Sequence, residues 1–240
     1  MRFLSALLVL CCSVAIAADD PWKLDDKFKP SKPEDLKDAE STPAPKGAIV
    51  LFDGKDFSNW LKRDGKSEVK WTLRDGGVME GVKGHGDIIT KEKFDGKFKL
   101  HVEFRVPYEP EGKGQGRGNS GVYVQGRYEV QILDSYGLKS EKNDCGAIYG
   151  VAAPLVNACK APTVWQTYDI EYTSPKFDNG KKTEPARMTV HQNGVKIQDD
   201  VPITVDNTTA GMGGDPSTPG PIMLQDHGHP VQFRNVWLVK

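Results

Sequence analysis

A stretch of alternating polar and apolar residues near the middle of the chain carries side chains suited to acid–base chemistry. Residues 117–134 read Arg-Gly-Asn-Ser-Gly-Val-Tyr-Val-Gln-Gly-Arg-Tyr-Glu-Val-Gln-Ile-Leu-Asp. Alternate side chains of a β-strand share a face, so Arg127, Glu129 and Gln131 should lie together, opposite an apolar set that belongs to the core. A single bulge at positions 132–133 would bring Asp134 onto the same polar face. The segment therefore predicts an arginine, two carboxylates and an amide in a row along one strand.

Other polar residues could complete a site around this strand. Asn119 follows a glycine-rich stretch, which could wrap closely around a ligand or form a loop without a role. Gln225 and His227 lie in the segment 224–230, where the histidine could transfer protons near neutral pH, although the segment could also be only a tight turn. Tyr149 lies between glycines and could stack on a sugar ring, whereas Trp165 is better explained by core packing.

The spacing Glu-x-Gln-x-x-Asp resembles the Glu-x-Asp-x-x-Glu strand of laminarinase-type β-glycosidases, which are two-sheet jelly rolls. In those enzymes the outer carboxylates are the nucleophile and the acid/base of a retaining mechanism. This chain departs from the pattern, because the middle acid is Gln131 and the last is the shorter Asp134. The same row could also be an ordinary solvated face of a strand.

Short strands separated by turns should position these residues. The segment 98–106 alternates strictly between apolar and polar residues, which predicts a half-buried strand. Asp75-Gly76 and Asn193-Gly194 each separate two strand-like runs and predict hairpins. About a dozen such strands without a long amphipathic helix predict an all-β fold, a two-sheet antiparallel jelly-roll sandwich like those of concanavalin and laminarinase.

The overall charge argues against several classes of partner. The 240 residues include 32 Lys and Arg and 33 Asp and Glu, for a formal net charge of -1. No basic excess indicates a nucleic-acid or anionic-membrane partner. The likeness of the polar strand to those of β-glycosidases implies a small carbohydrate as the partner, and we make no prediction of oligomeric state.

Three regions follow from the composition along the chain. Residues 1–17 have the charge, apolar run and small final residues of a signal peptide cleaved after Ala17, which predicts a secreted or periplasmic bacterial protein without a membrane anchor. Residues 18–46 form a polar leader rich in Pro, Lys and Asp that should act as a tether or lie as a strap over the domain. Residues 47–240 should form the jelly-roll catalytic domain.

Two cysteines remain after removal of the signal segment. An even pair in an exported protein predicts a disulfide between Cys145 and Cys159, with two separate buried thiols as the alternative. The histidines show no tight metal-ligand spacing, and no phosphate loop, dinucleotide motif or nucleophile elbow is present in the sequence.

The motifs taken together resemble the 3-keto-disaccharide hydrolases, secreted bacterial domains of concanavalin-like jelly-roll fold, over residues 47–240. The residues that carry this resemblance are Leu51-Phe52-Asp53-Gly54 with Trp60, Asn119-Ser120-Gly121-Val122-Tyr123, Tyr128-Glu129-Val130-Gln131-Ile132-Leu133-Asp134, Cys145-Gly146-Ala147-Ile148-Tyr149, Trp165-Gln166-Thr167-Tyr168-Asp169-Ile170, Asn193-Gly194, Leu224-Gln225-Asp226-His227-Gly228 and Phe233-Arg234-Asn235.

The resemblance implies cleavage of glycosides that are already oxidised at C3. A C3 ketone acidifies the C2 proton, a base removes it, the C1 oxygen leaves by β-elimination, and water adds back. Glu129 or His227 would be the base or the acid, and Asp134 would share that duty. The groups expected to bind sugar hydroxyls or the enolate are Asn119, Arg127, Gln131 and Gln225, with Tyr149 stacking on the ring. No cofactor would be consumed; a divalent metal could polarise the ketone, but the sequence shows no ligands for one.

Two alternatives stay open at this point. One is an ordinary retaining β-glycosidase that uses Glu129 and Asp134, against which Gln131 in the middle position counts. The other is a non-catalytic carbohydrate-binding module, which shares the fold but needs exposed aromatic residues more than ionisable ones.

Overall fold

The computed structural model describes residues 20–240. The predicted signal segment, its cleavage site and Cys11 and Cys12 lie outside these residues. Fifteen strands are present: β1 Ile49–Phe52, β2 Trp60–Lys62, β3 Thr72–Arg74, β4 Val78–Glu80, β5 Ile88–Thr90, β6 Lys97–Arg105, β7 Ser120–Val124, β8 Tyr128–Ile132, β9 Gln166–Thr173, β10 Lys176–Asp178, β11 Lys181–Glu184, β12 Ala186–Gln192, β13 Val195–Ile203, β14 Met223–Leu224 and β15 Gln232–Val239.

The strands form two main antiparallel sheets. The larger has eight strands in the order β13-β12-β9-β6-β15-β4-β3, with β1 also paired to β15. The smaller has five in the order β2-β5-β14-β7-β8, while β10 and β11 form a separate hairpin. Within residues 20–240 the helical structure is limited to two 3₁₀ turns, Pro33–Leu36 and Gly114–Gly116. The all-β sandwich predicted from the sequence is confirmed.

No helix in the described part of the chain has the length and apolar character needed to cross a membrane.

The core fills the space between the two main sheets. Leu100, Val102 and Phe104 of β6 face Val122 and Val130 of the smaller sheet, and all are fully buried. The two predicted hairpins are confirmed, since β3 pairs with β4 and β12 with β13. At the second, the turn residues Asn193 and Gly194 have φ angles of 52° and 78°, as a type I′ turn requires.

The leader lies as a strap along the domain. Its Thr42 carbonyl accepts hydrogen bonds from Asn235 at 2.8 Å and from Trp237 at 3.0 Å on β15. Further along, the backbone N–H of Ala39 donates to the carbonyl of Trp165 at 2.9 Å. These contacts account for the burial of polar residues on the outer face of the larger sheet.

The prediction of a half-buried strand at 98–106 holds at Lys99, which is exposed, but is wrong at two other positions of its polar face. His101 and Glu103 point away from the core, but both are buried. The ring of His101 stacks on Trp237 with centroids 4.8 Å apart, and Ser41 of the leader donates to the carboxylate of Glu103. Strand periodicity reports which face points away from the core; it cannot report that another segment covers that face.

Glu103 is buried but well supplied with donors. Burial alone would raise the pKa of this carboxyl, but hydrogen bonds from His101, Ser41, Asn235 and Arg234 outweigh it and lower the pKa of Glu103 to about 2. Arg234 approaches to 2.6 Å and Asn235 to 2.7 Å. The charged form of Glu103 therefore stabilises the sheet and the strap together.

The predicted disulfide is absent, and Cys145 and Cys159 are free thiols. Gln192 Nε2 lies 3.6 Å from the sulfur of Cys145 and 3.5 Å from that of Cys159. The Cys145 sulfur also contacts the hydroxyl of Tyr168 at 3.1 Å. The two side chains thus take part in one hydrogen-bonded cluster around Gln192, with Cys145 buried and Cys159 partly buried, so they are not the two separate buried thiols of the alternative either.

Replacing Glu103→Gln should lower the free energy of unfolding by about 3 kcal/mol at pH 7, because the folded-state pKa of about 2 lies below the reference value of 4.5. A depressed carboxyl pKa stabilises the fold above the unfolded-state pKa, and that stabilisation is lost as the pH falls through about 2. Urea unfolding at pH 7, 4 and 2.5 measures the difference. Glu171→Gln, an exposed position on neighbouring β9, is the control and should change little; an equal loss in both variants would contradict the assignment.

Candidate active site

The outer face of the five-stranded sheet carries a row of residues brought together by strand register. Tyr123 of β7 pairs with Glu129 of β8, and Met223 of β14 lies on the other side of Tyr123. Tyr149 lies beyond Glu129, since its backbone N–H donates to the Glu129 carbonyl at 3.1 Å and the adjacent Ile148 pairs with Val130. Residues paired across antiparallel strands point to the same side. Glu129 therefore lies between two tyrosines on the face opposite the core.

Glu129 is a buried carboxyl group without a basic partner. It is only 3% exposed. Burial raises the pKa of Glu129 to about 7. The negative charge of Asp87 adds to this rise. The Tyr123 hydroxyl opposes it, because it donates a hydrogen bond to the carboxylate. The nearby cation Arg63 forms its salt bridge with Asp87, at 2.8 Å, and not with Glu129. The carboxyl group of Glu129 can thus gain and lose a proton near neutral pH.

The absence of a side chain at Gly121 makes room for this carboxylate. A Cβ added there would lie 2.5 Å from Glu129 Oε1 and 2.8 Å from Tyr123 Cε2. Gly121 pairs with Gln131, so it occupies the next row of the same face. The carboxylate of Glu129 therefore folds over the backbone of Gly121.

Three buried amide side chains border this position. Asn119 is 1% exposed, Gln131 1% and Gln225 9%. Their nitrogens have partners: Asn119 Nδ2 donates to the Gln115 carbonyl at 2.8 Å, Gln131 Nε2 to Gln115 Oε1 at 2.8 Å, and Gln225 Nε2 to the Tyr123 hydroxyl at 3.0 Å. Their oxygens, Asn119 Oδ1, Gln131 Oε1 and Gln225 Oε1, are buried without a partner. Since buried acceptors are normally satisfied, these oxygens are suited to hydroxyl donors of a ligand.

Asp134 lies just beyond the end of β8, and its carboxylate already forms a salt bridge within the protein. Strand β8 ends at Ile132, and Ile132 and Leu133 are both buried in the core. The β7–β8 pairing ends at Ile132, and beyond it the backbone N–H of Asp134 donates to the carbonyl of Arg117 at 3.1 Å. Asp134 lies 2.9 Å from Arg117 Nε. Burial raises the pKa of Asp134 above its ordinary value, although the guanidinium of Arg117 opposes the rise. The short distance to Arg117 shows that this carboxylate is engaged in an ion pair.

Arg127 binds a loop of its own chain. Its guanidinium donates to the carbonyl of Asp215 at 2.7 Å and to that of Thr218 at 3.1 Å. Thr208 of the same loop accepts from the backbone N–H of Glu129 at 3.2 Å. Arg127 thus anchors residues 208–218 beside the site, with its charged group directed to that loop.

His227 lies at the rim. It is exposed, two residues beyond Gln225, and its ring stacks on that of His229 with centroids 6.1 Å apart. Asp226 accepts hydrogen bonds from Gly86 and Gly228, so the tight turn weighed from the sequence is also present. His229 Nδ1 lies 2.6 Å from Glu109 Oε2, which ties the turn to the loop that precedes Asn119.

The structure brings five of the residues proposed from the sequence together: Glu129, Asn119, Gln131, Gln225 and Tyr149. The other three lie outside this group. Asp134 pairs with Arg117, Arg127 binds the loop 208–218, and His227 is exposed at the rim. Sequence reasoning missed Tyr123, Gly121, Gln115 and the Asp87–Arg63 pair. Alternation along 119–123 could have identified Tyr123 and Gly121, because they share the face of Asn119. No periodic signal marks Gln115.

In the part of the chain that the structure describes, no group of three or more His, Cys, Asp or Glu side chains has the arrangement of a metal site.

Comparison with known proteins places these features in context. Residues 47–239 match the family model of the 3-keto-alpha-glucoside-1,2-lyase-like domain. A 3-keto-disaccharide hydrolase of Bacteroides thetaiotaomicron is 36% identical over 101 residues, which is 38% of this chain and 31% of that protein. The chain thus matches about a third of the length of that relative.

Solved structures of similar fold include two proteins described as glycosyl hydrolases. A Parabacteroides distasonis protein described as a glycosyl hydrolase superposes with a TM-score of 0.73 at 41% identity, covering 82% of this chain and 85% of that one. A second protein of that organism, described in the same way, has a TM-score of 0.58 at 21% identity, covering 80% and 93%, and shares the fold.

Replacing Gly121→Ala should push the carboxylate of Glu129 toward water and lower its pKa from about 7, at a cost of about 1–3 kcal/mol of stability from overpacking. A ¹³C NMR titration of the Glu129 carboxyl measures the pKa. Gly81→Ala is the control, since a Cβ there meets nothing closer than 3.4 Å. An unchanged Glu129 titration in Gly121→Ala would refute the contact.

Proposed function

The chain belongs to the family of 3-keto-alpha-glucoside-1,2-lyase-like domains, and we propose from that premise that it cleaves glycosides carrying a ketone at C3. It is a glycoside hydrolase-like, carbohydrate-active enzyme. The observation that carries the proposal is Glu129, a buried carboxyl group with a pKa of about 7 surrounded by acceptor oxygens. A carboxylate in that state is suited to removing a carbon-bound proton near neutral pH.

Glu129 acts as the base. In its ionised form it takes the C2 proton, and the C2–H electron pair forms the enolate with the C3 ketone. The enolate then expels the C1 oxygen, leaving a C1=C2 double bond conjugated to the ketone. Addition of water at C1 and return of a proton to C2 complete a net hydrolysis.

The surrounding residues hold the sugar and the proton. The Tyr123 hydroxyl donates to the Glu129 carboxylate and accepts from Gln225 Nε2, which fixes the direction of the carboxylate. The free oxygens of Asn119, Gln131 and Gln225 accept from sugar hydroxyls. His227, exposed at the rim, protonates the leaving oxygen.

The unpaired Glu129 fits this chemistry better than retaining glycoside hydrolysis. A retaining mechanism needs two carboxyl groups about 5–5.5 Å apart, one of them free to attack C1. Asp134, the candidate partner, is bound to Arg117 at 2.9 Å. Elimination next to a ketone requires only one carboxylate base.

The decisive experiment incubates the purified chain with a 3-keto-glucoside and, separately, with its unoxidised parent, and follows release of the leaving group. We expect release from the keto form only. In D₂O, deuterium should enter C2 of the released sugar faster than in an enzyme-free control. Release from the parent would instead indicate an ordinary glycosidase, and release from neither would overturn the proposal.

Glu129→Gln should abolish turnover of the 3-keto-glucoside while leaving sugar affinity within about threefold, because the amide keeps the shape but cannot take a proton. In the wild-type protein the acid limb of the kcat profile should follow the ionisation of Glu129, with a midpoint at about pH 7. Rate measurements from pH 5 to 9 and calorimetric binding to the variant provide the test; equal loss of turnover and affinity would contradict a catalytic role.

The same substitution should stabilise the protein at alkaline pH. A carboxyl whose folded-state pKa of about 7 exceeds the reference value of 4.5 favours folding when protonated, and this contribution is lost as the pH rises through about 7. Glu129→Gln should therefore gain about 3 kcal/mol over the wild type at pH 8.5 and little at pH 5. Urea unfolding at both pH values measures the difference.

A further inference from the structure

Gln115 lies in the 3₁₀ turn Gly114–Gly116 and contacts two of the three site amides at once. Its Oε1 accepts from Gln131 Nε2 at 2.8 Å and from Asn119 Nδ2 at 3.1 Å. Its own Nε2 donates to the carbonyl of Asn143 at 2.9 Å. Gln115 itself is half-buried, at the edge of the site. One side chain thus joins the loop before β7 to the amides on β8 and at the start of β7.

The direction of each amide in this group is fixed by backbone carbonyls, which can only accept hydrogen bonds. The Asn143 carbonyl requires the nitrogen of Gln115 on its side, so Gln115 Oε1 must face the other two amides. Asn119 Nδ2 also donates to the Gln115 carbonyl at 2.8 Å, and Gln131 Nε2 to the Asn143 carbonyl at 3.3 Å. Reversing either amide would set oxygen against oxygen.

The consequence is a corner of the site that presents only acceptors. With both nitrogens held toward Gln115 and Asn143, the oxygens Asn119 Oδ1 and Gln131 Oε1 point away, buried and without a partner in the protein. An unsatisfied buried acceptor destabilises the free protein, and a ligand donor would recover that loss. A hydroxyl group can supply that donor, whereas a ketone oxygen cannot.

We propose that Gln115 is a specificity-determining residue that makes Asn119 and Gln131 pure acceptors, so that this corner binds two hydroxyl donors of the sugar and excludes the C3 ketone. This inference rests on the proposed function. In a 3-keto-glucoside, C1 and C2 react and C3 bears the ketone, and the hydroxyls at C2, C4 and C6 remain as donors. The pair that lies away from the reacting C1–C2 bond, at C4 and C6, binds this corner. Gln115 acts through the two amides and is a positioning residue.

The test compares kcat/KM for a 3-keto-glucoside with that for its 4-deoxy and 6-deoxy analogues. The wild-type protein should prefer the parent by about 100-fold or more over each analogue, since a site built around a hydroxyl rejects a substrate that lacks it. In Gln115→Leu the Gln131 amide loses its acceptor at 2.8 Å and keeps only the Asn143 carbonyl at 3.3 Å, whereas Asn119 keeps the backbone carbonyl of residue 115. The preference over one of the two analogues should therefore fall below about 10-fold.

Two further variants distinguish the loss of hydrogen bonding at position 115 from a general disturbance of the loop. Gln115→Asn keeps both a carbonyl oxygen and an NH₂ group and should retain more of the preference for the parent sugar than Gln115→Leu. Lys113→Leu, an exposed position on the same loop, introduces the same side chain and should leave the preference unchanged. Urea unfolding of all variants checks that the fold is intact. A preference that is unchanged in Gln115→Leu, or reduced as far in Gln115→Asn as in Gln115→Leu, would overturn the inference.

Binding measurements distinguish this result from failure of the proposed function. If the wild-type protein turns over no 3-keto-glucoside, calorimetric titration with the unoxidised methyl glucoside and its deoxy analogues still reports hydroxyl recognition. Discrimination lost only in Gln115→Leu would support the role of Gln115 without the reaction. Absence of binding, or equal binding of parent and deoxy sugars, would refute it.

Discussion

The antiparallel pairing of β7 with β8 sets the register on which the rest of the site depends. It places Tyr123 against Glu129 and Gly121 against Gln131. A slip of one residue would turn Glu129 into the core and a valine out of it. The apolar residues on the inner faces of these strands oppose that slip, because every one of them is buried against the larger sheet. Hydrophobic packing on one face therefore holds the polar geometry on the other.

Glu103 and Glu129 show that burial alone does not decide the state of a carboxyl group. Both lie on strand faces turned away from the core, and both are almost fully buried. Their pKa values nevertheless lie on opposite sides of the ordinary value, at about 2 and about 7. Glu103 receives donors from the leader and from β15, whereas Glu129 has one neutral hydroxyl and a nearby negative charge. The number of donors separates a structural carboxylate from a candidate base.

Local patterns predicted much of the fold. Alternation located β6 and β8, Asn193-Gly194 and Asp75-Gly76 located hairpins, and the face carrying Glu129 and Gln131 followed from a period of two. Contacts made by loops were not predictable, since the binding of Arg127 to residues 215–218, of Asp134 to Arg117 and of Gln115 to two amides has no periodicity. The thiol cluster around Gln192 was missed for a related reason: the number of cysteines says nothing of the donors packed between them.

Strand β15 follows every other strand in the chain but lies inside the larger sheet, between β6 and β4, and also pairs with β1. During synthesis, β6, β4, β1 and the leader that contacts Asn235 and Trp237 cannot form their pairings with β15 until residues 232–239 have left the ribosome. Closing the sheet is then a late step with high contact order, which slows folding. A chain with this strand order exposes unpaired edges of β6 and β4 until its last strand is added, which makes the partly folded state prone to edge-to-edge association.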